Sequence, residues 1–497
     1  MSDYIYFWIG FLAYSIIVIW IGFYIWKKEK ASGRHCDNSA YWSASGNLSG
    51  LSSGLSISAS MMSISWSCVY GVQLFYWYGP GGAWLLIIPW LITMAGFFIF
   101  ASRFRKFKTF SQPELLEKRF GSKARQLLAP ALIVVFITWT GAEIYAAGNI
   151  IAPFLGISLN QALLIITIVV SVYTFTGGFE AVVSTDKIQF LLVAVFITSL
   201  AVIGWNALPA GASIWDIPPP PKLNHHSNLF APGIALIAVT FFAYLPGWLI
   251  ETDVWIRLQA AKSNGAARRG ILIAGINSFV FVGVMPLLIG MSALILFPPV
   301  NGIIPGQLKD GTVILTVLMQ NYAPVWLNVF LSIGLIAAAM STIDTCGNVV
   351  ALSFSFDLVE PHVQNKWSAA RLNNFARISS VGAVFISYIY AIFTESLWDI
   401  FYLSSGILTT TVFIPVISSF FKSTQKSQVH FSIVFGFLST LIFYFLESRG
   451  NMGFFEPSFL SGTGLSYILW GFIFSIIGFF TGKLFSGSGA MDERADI

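Results

Sequence analysis

Thirteen windows of about 20 mostly apolar residues follow one another along the chain, each long enough to cross roughly 30 Å of hydrocarbon. They cover residues 4–26, 50–74, 83–102, 127–152, 159–176, 184–207, 229–250, 270–297, 324–352, 376–394, 398–421, 429–447 and 463–485. Only 10% of the residues are charged and the mean hydropathy is +0.76, too little charge to cover a soluble protein of this size. The sequence therefore predicts an all-α polytopic membrane protein with about thirteen transmembrane helices.

Lysine and arginine residues set the predicted orientation, because cytoplasmic loops concentrate them. With the N-terminus outside, 24 of the 27 fall on inward-facing segments, and the exceptions are Lys222, Lys309 and Arg449. One missing span would invert every later loop, so this asymmetry favours thirteen spans with the N-terminus outside and the C-terminus inside. The same distribution predicts that no Lys or Arg lies deep inside a span.

The remaining composition argues against several other classes of protein. The net charge of +5 follows from the cytoplasmic loops and needs no nucleic-acid partner. The five His avoid the span centres, whereas an intramembrane enzyme would need a buried nucleophile or metal with a His partner. Three Cys are too few for a disulfide framework: Cys36 falls in an inward loop, and Cys68 and Cys346 are expected to be packing residues.

Two further classes are separated by simple criteria. A solute sensor on the same scaffold would need a signalling module, and the chain ends about a dozen residues after the last predicted span, in the tail GSGAMDERADI. A passive channel would carry flux that ignores an ion gradient, whereas an ion-coupled transporter accumulates solute against the solute's own gradient.

Two spans contain polar or helix-weakening residues in their interior. Residues 56–67 of the second span form SISASMMSISWS, with six serines, and residues 243–253 of the seventh form AYLPGWLIETD. Pro246 and Gly247 weaken the seventh helix, whereas a break in the second is inferred from polarity alone. Paired interruptions of this kind indicate a secondary transporter built from inverted repeats, with ion and substrate sites near the bilayer midplane.

Spans 2–6 and 7–11 would form these two repeats, in a five-plus-five arrangement. The predicted divisions are a leading helix with its cytoplasmic loop (1–49), a first repeat with its outer loop (50–228), a second repeat (229–421), and two trailing helices with a short tail (422–497).

The ninth span contains AAAMSTIDT, residues 337–345, in a run otherwise apolar enough to span the bilayer. On a helix, Ala338, Ser341, Thr342 and Thr345 share one face and Asp344 borders it. A single Ser or Thr in a membrane helix usually bonds back to its own helix or packs against a neighbour. An aspartate costs on the order of 3 kcal/mol at this depth, which favours a functional site.

A second aspartate, Asp186, opens the sixth span in YTFTGGFEAVVSTDKIQF, residues 173–190. Its carboxylate would suit a hard monovalent cation, which prefers oxygen ligands. It could equally be a charge at the cytoplasmic end of the helix, favoured by the helix dipole. Residue type alone leaves both interpretations open.

Four stretches at their expected places along the chain together resemble the sodium:solute symporter family: YTFTGGFEAVVSTDKIQF, TFSQPELLEKRFGSKAR, AYWSASGNLSG and AAAMSTIDT. The resemblance covers roughly residues 4–420, and its most specific part is the pattern GG-x-x-AV-x-x-TD-x-x-Q. It implies the leucine-transporter fold with an extra leading helix, sodium-driven uptake and alternating access.

The resemblance also implies ion ligands. The main sodium site would use the backbone carbonyls of Ala59, Met62 and Ala338 with the hydroxyls of Ser341 and Thr342. A second sodium site, like that of some family members, would fall on Asp186, Ser341, Asp344 and Thr345.

Asp344 departs from the family pattern, which usually has a small or hydroxyl residue there. Two carboxylates around one cation leave a net negative charge in a low dielectric. We therefore predict either a second bound cation or a proton that titrates with transport, and Asp344→Ser would then change the sodium stoichiometry or the pH profile of uptake.

The substrate pocket is expected between spans 2, 4, 7 and 11. Family position assigns to it Ser63, Trp66, Gln73, Trp139, Glu143, Tyr244, Trp248 and Tyr402. Any one aromatic residue in a chain with 46 Phe more often packs or faces lipid. A lone mid-span glutamate normally faces the interior, so Glu143 would favour an amine or cationic group, with cation–π contact from Trp. A sugar or a zwitterionic amino acid is also compatible, as is a protonated Glu143 hydrogen-bonded within the bundle.

The sequence thus predicts a non-enzymatic, sodium-coupled symporter of a small polar organic solute, with an amine-bearing or zwitterionic solute as the finer prediction. Proton-coupled or mixed-ion symport and a transporter-like sensor are the alternatives. The expected partners are the solute, Na⁺ as the co-transported ion and the lipid bilayer, in the cytoplasmic membrane of a bacterium.

Overall fold

A computed structural model describes residues 3–31, 46–176, 179–213, 216–222, 229–363 and 366–485 of the 497. Within these ranges the regular elements are helices, which we number α1–α20. Cys36, the two glycines at 177 and 178 and the predicted tail at 487–497 lie outside the described residues.

The helices of the first half of the chain are α1 Asp3–Ala31, α2 Gly50–Met61, α3 Gly71–Tyr78, α4 Ile87–Phe104, α5 Gln112–Phe120, α6 Ser122–Leu155, α7 Leu159–Thr176 and α8 Phe179–Asn206. Those of the second half are α9 Ile234–Trp248, α10 Thr252–Ala260, α11 Asn264–Ser278, α12 Met285–Leu296, α13 Ile314–Tyr322, α14 Val325–Ala351, α15 Glu360–Val363, α16 Ala369–Ile392, α17 Leu397–Ile407, α18 Ile414–Ser418, α19 Lys426–Ser448 and α20 Ser466–Leu484.

Short π-helical stretches join several of these helices into longer continuous helices. They are Ile64–Tyr70, Phe279–Val284, Leu352–Val359 and Leu408–Phe413. Short 3₁₀ turns at Gly79–Leu85, Arg105–Phe107, Gly306–Leu308 and Gly453–Phe455 form part of the connections.

Each predicted apolar window coincides with helix in the structure. Among the described residues, eleven helical stretches are long and apolar enough to cross a membrane, and Leu159–Phe175 is a shorter apolar helix. One of the eleven, Ile64–Phe107, covers both the later part of the second window and the third. The structure is therefore that of an all-helical, polytopic membrane protein.

The second predicted span is interrupted in its serine-rich stretch. Helix α2 ends at Met61, and Ser63 adopts an extended conformation with φ −65° and ψ 149°. The Ser63 hydroxyl accepts a hydrogen bond of 2.8 Å from the Trp66 N–H and so caps the segment that follows. The serines supply this local capping, which explains how the helix is interrupted without Gly or Pro.

The seventh predicted span is also interrupted, beginning two residues after its proline. Helix α9 includes Pro246 and ends at Trp248, and Glu251 is extended with φ −63° and ψ 134° before α10 begins. Gly247 packs against the later π-helical stretch, and a Cβ there would lie 2.6 Å from Cβ of Leu408. Its N–H donates to the hydroxyl of Thr409 at 3.1 Å.

Helix α14 contacts both interrupted spans in the core of the protein. This helix packs against α6 and α8 and also contacts α2, while α2 packs against α8 and α11. From Leu335 to Ala351 every residue of α14 is buried. The polar stripe of the ninth span therefore faces protein rather than lipid, beside the break in the second span.

Candidate functional site

Two hydroxyls of α14 connect it to the sixth and second spans. The Ser341 hydroxyl donates to Oδ1 of Asp186 at 2.7 Å, and the Thr342 hydroxyl donates to the carbonyl of Ser60 at 3.1 Å. All four residues are buried. The structure therefore brings together, in one place, the polar groups of three separate spans.

The predicted backbone ligands lie at the same junction. Because the chain becomes extended at Ser63, carbonyl groups at the end of α2, which include those of Ala59 and Met62, lack the partners that a continuing helix would supply. The carbonyl of Ala338 lies one turn before Thr342 and accepts a long bond of 3.5 Å from that hydroxyl. These oxygen atoms form a set suited to a hard cation.

Arg257 lies inside the protein, although it falls after the predicted seventh span, in a segment that the charge count had treated as a loop. Its side chain is 1% exposed, because α10 turns inward after the break in the seventh span. One guanidinium nitrogen donates to Oδ2 of Asp186 at 3.2 Å and to the Thr345 hydroxyl at 2.9 Å. Counting charges along the chain had placed Arg257 with the cytoplasmic loop that follows it.

The guanidinium of Arg257 has acceptors for all five of its N–H groups. Besides Asp186 and Thr345, Nε donates to the Ser56 hydroxyl at 2.8 Å. The third nitrogen forms an ion pair with the Asp253 carboxylate and a long bond of 3.4 Å to the Asp253 carbonyl. Each of the three nitrogens of Arg257 is thus directed to a group other than Glu251.

The four residues predicted for a second sodium site have different bonding partners. Asp186 is bonded by Ser341, by the Ser56 hydroxyl and by Arg257, and Thr345 accepts from Arg257. Oδ1 of Asp344 accepts from Thr174 at 2.6 Å, and its Oδ2 has no hydrogen-bond partner among the described residues. A buried carboxylate oxygen without a partner is costly and leaves room for a ligand.

An internal cavity adjoins this junction, with a volume of about 60 Å³ measured at the centres of water-sized molecules. Its wall is mainly aromatic, with several polar groups from the two breaks. It is formed by Ser60, Met61, Ser63, Ser65, Trp66, Trp90, Phe136, Trp139, Glu143, Trp248, Glu251, Asp253, Thr342, Cys346, Phe401 and Ser405. Thr342 thus contacts both the junction of the three spans and the cavity.

Five of the eight residues predicted for the substrate pocket line this cavity: Ser63, Trp66, Trp139, Glu143 and Trp248. Tyr244 and Tyr402 instead form a second layer. The Tyr244 ring stacks on Trp248 with centroids 4.3 Å apart, and the Tyr402 hydroxyl bonds the Thr240 hydroxyl at 2.5 Å. They support the cavity wall without reaching the cavity.

Gln73, the third exception, lies in α3, the helix after the first break. Its side-chain amide donates to the carbonyl and to Oδ2 of Asp310, at 3.1 and 3.0 Å. The Trp77 indole donates to the same carbonyl, and the ammonium of Lys222 lies 3.2 Å from the Trp77 ring centroid. Partial burial desolvates the Lys222 ammonium and lowers its pKa to about 8. Gln73 thus bonds a connecting loop instead of lining the cavity.

Glu143 lines the cavity, but its carboxylate is fully engaged. It accepts from the Ser63 hydroxyl at 2.5 Å, from the Ser65 hydroxyl, and from the N–H groups of Ile64 and Ser65 at 3.1 and 3.3 Å. These donors belong to the first turn after the break, where helical N–H groups have no partner of their own. Glu143 therefore stabilises the interrupted conformation of the second span.

Sequence reasoning missed Trp90, Phe136, Phe401 and Glu251 as members of the cavity wall. Glu251 lies within the quoted stretch AYLPGWLIETD, so its position beyond Pro246 was a usable signal. The three aromatic residues carry no comparable signal, since the chain has 17 Trp and 46 Phe.

Comparisons with known proteins agree with this geometry. The model of the family described as "Sodium:solute symporter family" matches residues 41–428. A sodium/glucose cotransporter of Vibrio parahaemolyticus is 28% identical over 308 residues, covering 56% of this chain and 55% of that protein. A sodium/proline symporter of Staphylococcus aureus (strain Newman) is 25% identical over 358 residues, covering 69% and 66%. The aligned part of the chain thus spans from about half to just under two thirds of these relatives.

A solved structure of a Na⁺-coupled sialic acid symporter, in a substrate-bound outward-open state, has a similar fold. Its TM-score is 0.71 at 18% sequence identity, and the match covers 97% of this chain and 98% of that one. At this identity the likeness concerns the fold alone. The family model covers most of the chain, including the broken spans and the polar stripe of α14. The chain therefore belongs to the sodium:solute symporter family.

Proposed function

We propose that this protein is a sodium-coupled symporter that carries a small polar organic solute by alternating access. One observation carries the proposal: Thr342 lines the cavity and also bonds the interrupted second span beside Ser341 and Asp186. An ion bound at this junction would fix the break and, through it, the cavity wall. Ion and solute would then favour the same conformation, which is what coupling requires.

The proposed main sodium site comprises the carbonyls of Ala59, Met62 and Ala338 and the hydroxyls of Ser341 and Thr342. Its support is the release of α2 carbonyls at the break and the short distance between the α14 hydroxyls and the neighbouring spans. Na⁺ prefers such oxygen ligands, and helix breaks in transporters supply them.

The proposed second cation site comprises Asp186, Ser341, Asp344 and Thr345. Arg257 pairs with both Asp186 and Asp253, which leaves Asp344 without a cationic partner among the described residues. A further cation beside Asp344 would balance that charge. Mixed-ion symport is therefore the second candidate function, and the unpartnered Oδ2 of Asp344 is the observation that favours it.

The proposed architecture has thirteen spans, with the N-terminus outside and the C-terminus inside the cytoplasmic membrane of a bacterium. Residues 50–228 and 229–421 would be the inverted repeats, preceded by 1–49 and followed by 422–497. The support is that both repeats begin with an interrupted span, at Ser63 and at Glu251. The inward bias of Lys and Arg supports the orientation.

The test is the thermal stability of the purified protein in NaCl and in KCl at equal ionic strength. A protein that binds Na⁺ in its folded state unfolds at a higher temperature in NaCl. We expect this difference in the wild type and expect Ser341→Ala to remove most of it.

Ser332→Ala is the matched control, because Ser332 lies on the same helix and bonds only back to the carbonyl of Val329 at 2.7 Å. It should keep the full sodium effect. Equal unfolding temperatures of the wild type in the two salts would contradict sodium binding, and an unchanged sodium effect in Ser341→Ala would contradict the assigned ligands.

A further inference from the structure

Glu251 is a buried carboxylate that lines the cavity without a hydrogen-bond partner. The residue is 1% exposed, and neither carboxylate oxygen has a partner among the described residues. It occupies the position before α10, where an acidic side chain often caps the helix; its carboxylate lies toward the Val254 N–H, but the geometry falls short of a capping hydrogen bond. A bare carboxylate in such a place is expensive, so it is expected to serve a ligand.

Arg257 is the neighbouring cation and attracts Glu251 electrostatically. It makes no hydrogen bond to Glu251, however, because its three nitrogens are directed to Ser56, Asp186, Thr345 and Asp253, as described above. The pairing of Arg257 with Asp186 and Asp253 also leaves no net positive charge at that cluster. Glu251 therefore offers the cavity two carboxyl oxygens that the described part of the chain does not bond, and a cation held beside them would favour the ionised form.

Four tryptophans from four different spans line the same cavity as this carboxylate: Trp66, Trp90, Trp139 and Trp248. The Trp248 ring stands nearly perpendicular to two of the others, with centroids 5.3 Å from Trp66 and 5.5 Å from Trp90. Rings that meet edge to face around one space form a cage whose faces attract a cation.

Three of these indoles have their N–H groups bonded to serines. Trp90 donates to Ser278 at 3.1 Å, Trp139 to Ser404 at 2.6 Å and Trp248 to Ser405 at 3.1 Å. Their N–H donors are thus committed, and the rings offer the cavity mainly apolar and π surface.

These observations separate two kinds of cationic solute. A primary ammonium carries three N–H donors. Glu251 could accept two of them, but the carboxylates of Glu143 and Asp253 are already engaged and the indole rings offer no acceptor for the third. An ammonium whose hydrogens are replaced by alkyl groups needs no acceptors and gains from contact with aromatic faces. The wall therefore fits an alkylated ammonium better than a primary amine.

We propose that the cavity binds a small alkylated ammonium solute, with Glu251 as the counter-charge and the four indoles as the cage. This inference rests on the proposed transport function, since it names the class of solute for the same cavity. Glu251 would then recognise the positive charge of the solute, a role that the sequence had suggested for Glu143.

The test uses the purified protein with choline as the probe and dimethylbutanol, its uncharged carbon isostere, as the comparison. Binding is followed by tryptophan fluorescence and by thermal unfolding, in NaCl and in KCl. We expect choline to stabilise the wild type, more strongly in NaCl, and dimethylbutanol to have little effect. Equal effects of the two compounds would overturn the proposal without any variant.

Glu251→Gln should weaken choline binding by at least about tenfold, which corresponds to about 1.4 kcal/mol. Glu251→Asp keeps the charge and should retain part of the binding. The matched control is Glu395→Gln, at an exposed position, which should bind choline as the wild type does. Full choline binding by Glu251→Gln would overturn the assignment.

Sodium stabilisation measured without any solute separates this inference from the proposed function. If Na⁺ stabilises the protein through Ser341 while choline binds no better than dimethylbutanol, the solute class is wrong and sodium coupling stands. If Na⁺ has no effect while choline binds through Glu251, the cavity assignment stands and the sodium coupling is wrong.

Discussion

The two interrupted spans each have a buried glutamate, and the two glutamates have opposite bonding. At the first break, Glu143 comes from another helix and accepts four hydrogen bonds from residues 63–65. At the second break, Glu251 belongs to the interrupted span itself and has no partner among the described residues. Both carboxylates line one cavity and both are 1% exposed.

This contrast shows that depth and residue type do not define a ligand-binding carboxylate. Glu143 replaces the helical partners that the first break removes, so its charge is part of the fold. The second break is held by other means, namely the bond from Gly247 to Thr409 and the contact with Leu408. Glu251 is thereby left available.

The largest expected effect on stability concerns Glu143. Glu143→Ala would leave two hydroxyls and two N–H groups at the first break without their acceptor, at about 1–3 kcal/mol for each buried unsatisfied group, less any relaxation. We expect a loss of roughly 3 kcal/mol or more, measured by thermal unfolding of the unliganded protein. Glu395→Ala is the control and should change little. A Glu143→Ala protein as stable as the wild type would show that Glu143 does not stabilise the first break.

A smaller loss is expected at the second break from Thr409→Val. The Thr409 hydroxyl accepts from the Gly247 N–H at 3.1 Å and donates to the Ala243 carbonyl at 2.7 Å. Valine has nearly the same shape but serves neither group, so we expect a loss of about 1–2 kcal/mol in the same assay. Thr394→Val, whose hydroxyl bonds back to its own helix, is the control. No loss of stability would mean that the second break is held by packing alone.

The smallest change is expected from Glu251→Gln in the absence of solute. Removing a buried charge without a bonded partner should leave the stability unchanged or raise it by about 1 kcal/mol, although the same substitution weakens solute binding. Thermal unfolding without solute measures this directly. A clear loss of stability would show that Glu251 supports the fold as Glu143 does, and the contrast between the breaks would disappear.

The fold could largely be predicted because a bilayer imposes long apolar helices, and each predicted window coincides with helix. The break at Ser63 was predictable because serines compete for backbone hydrogen bonds. The approach of Ser341 to Asp186 was implied only by the family resemblance, since 155 residues separate them in the chain.

Other features of the site depend on three-dimensional contacts that a linear pattern does not record. Arg257 is followed by basic loop residues, so charge counting placed it in the cytoplasm, while the break before α10 turns it into the core. Neither the four donors around Glu143 nor the absence of partners at Glu251 is visible in the sequence, because both result from the packing of distant helices.

The unbalanced charge of the cavity has an electrical consequence. A cationic solute that enters together with one Na⁺ moves two positive charges across the membrane, and each gains about 2.3 kcal/mol per 100 mV of inside-negative potential. Uptake of such a solute would respond to voltage even when the Na⁺ concentrations on the two sides are equal. For a neutral solute, the co-transported Na⁺ would be the charge that the voltage acts on.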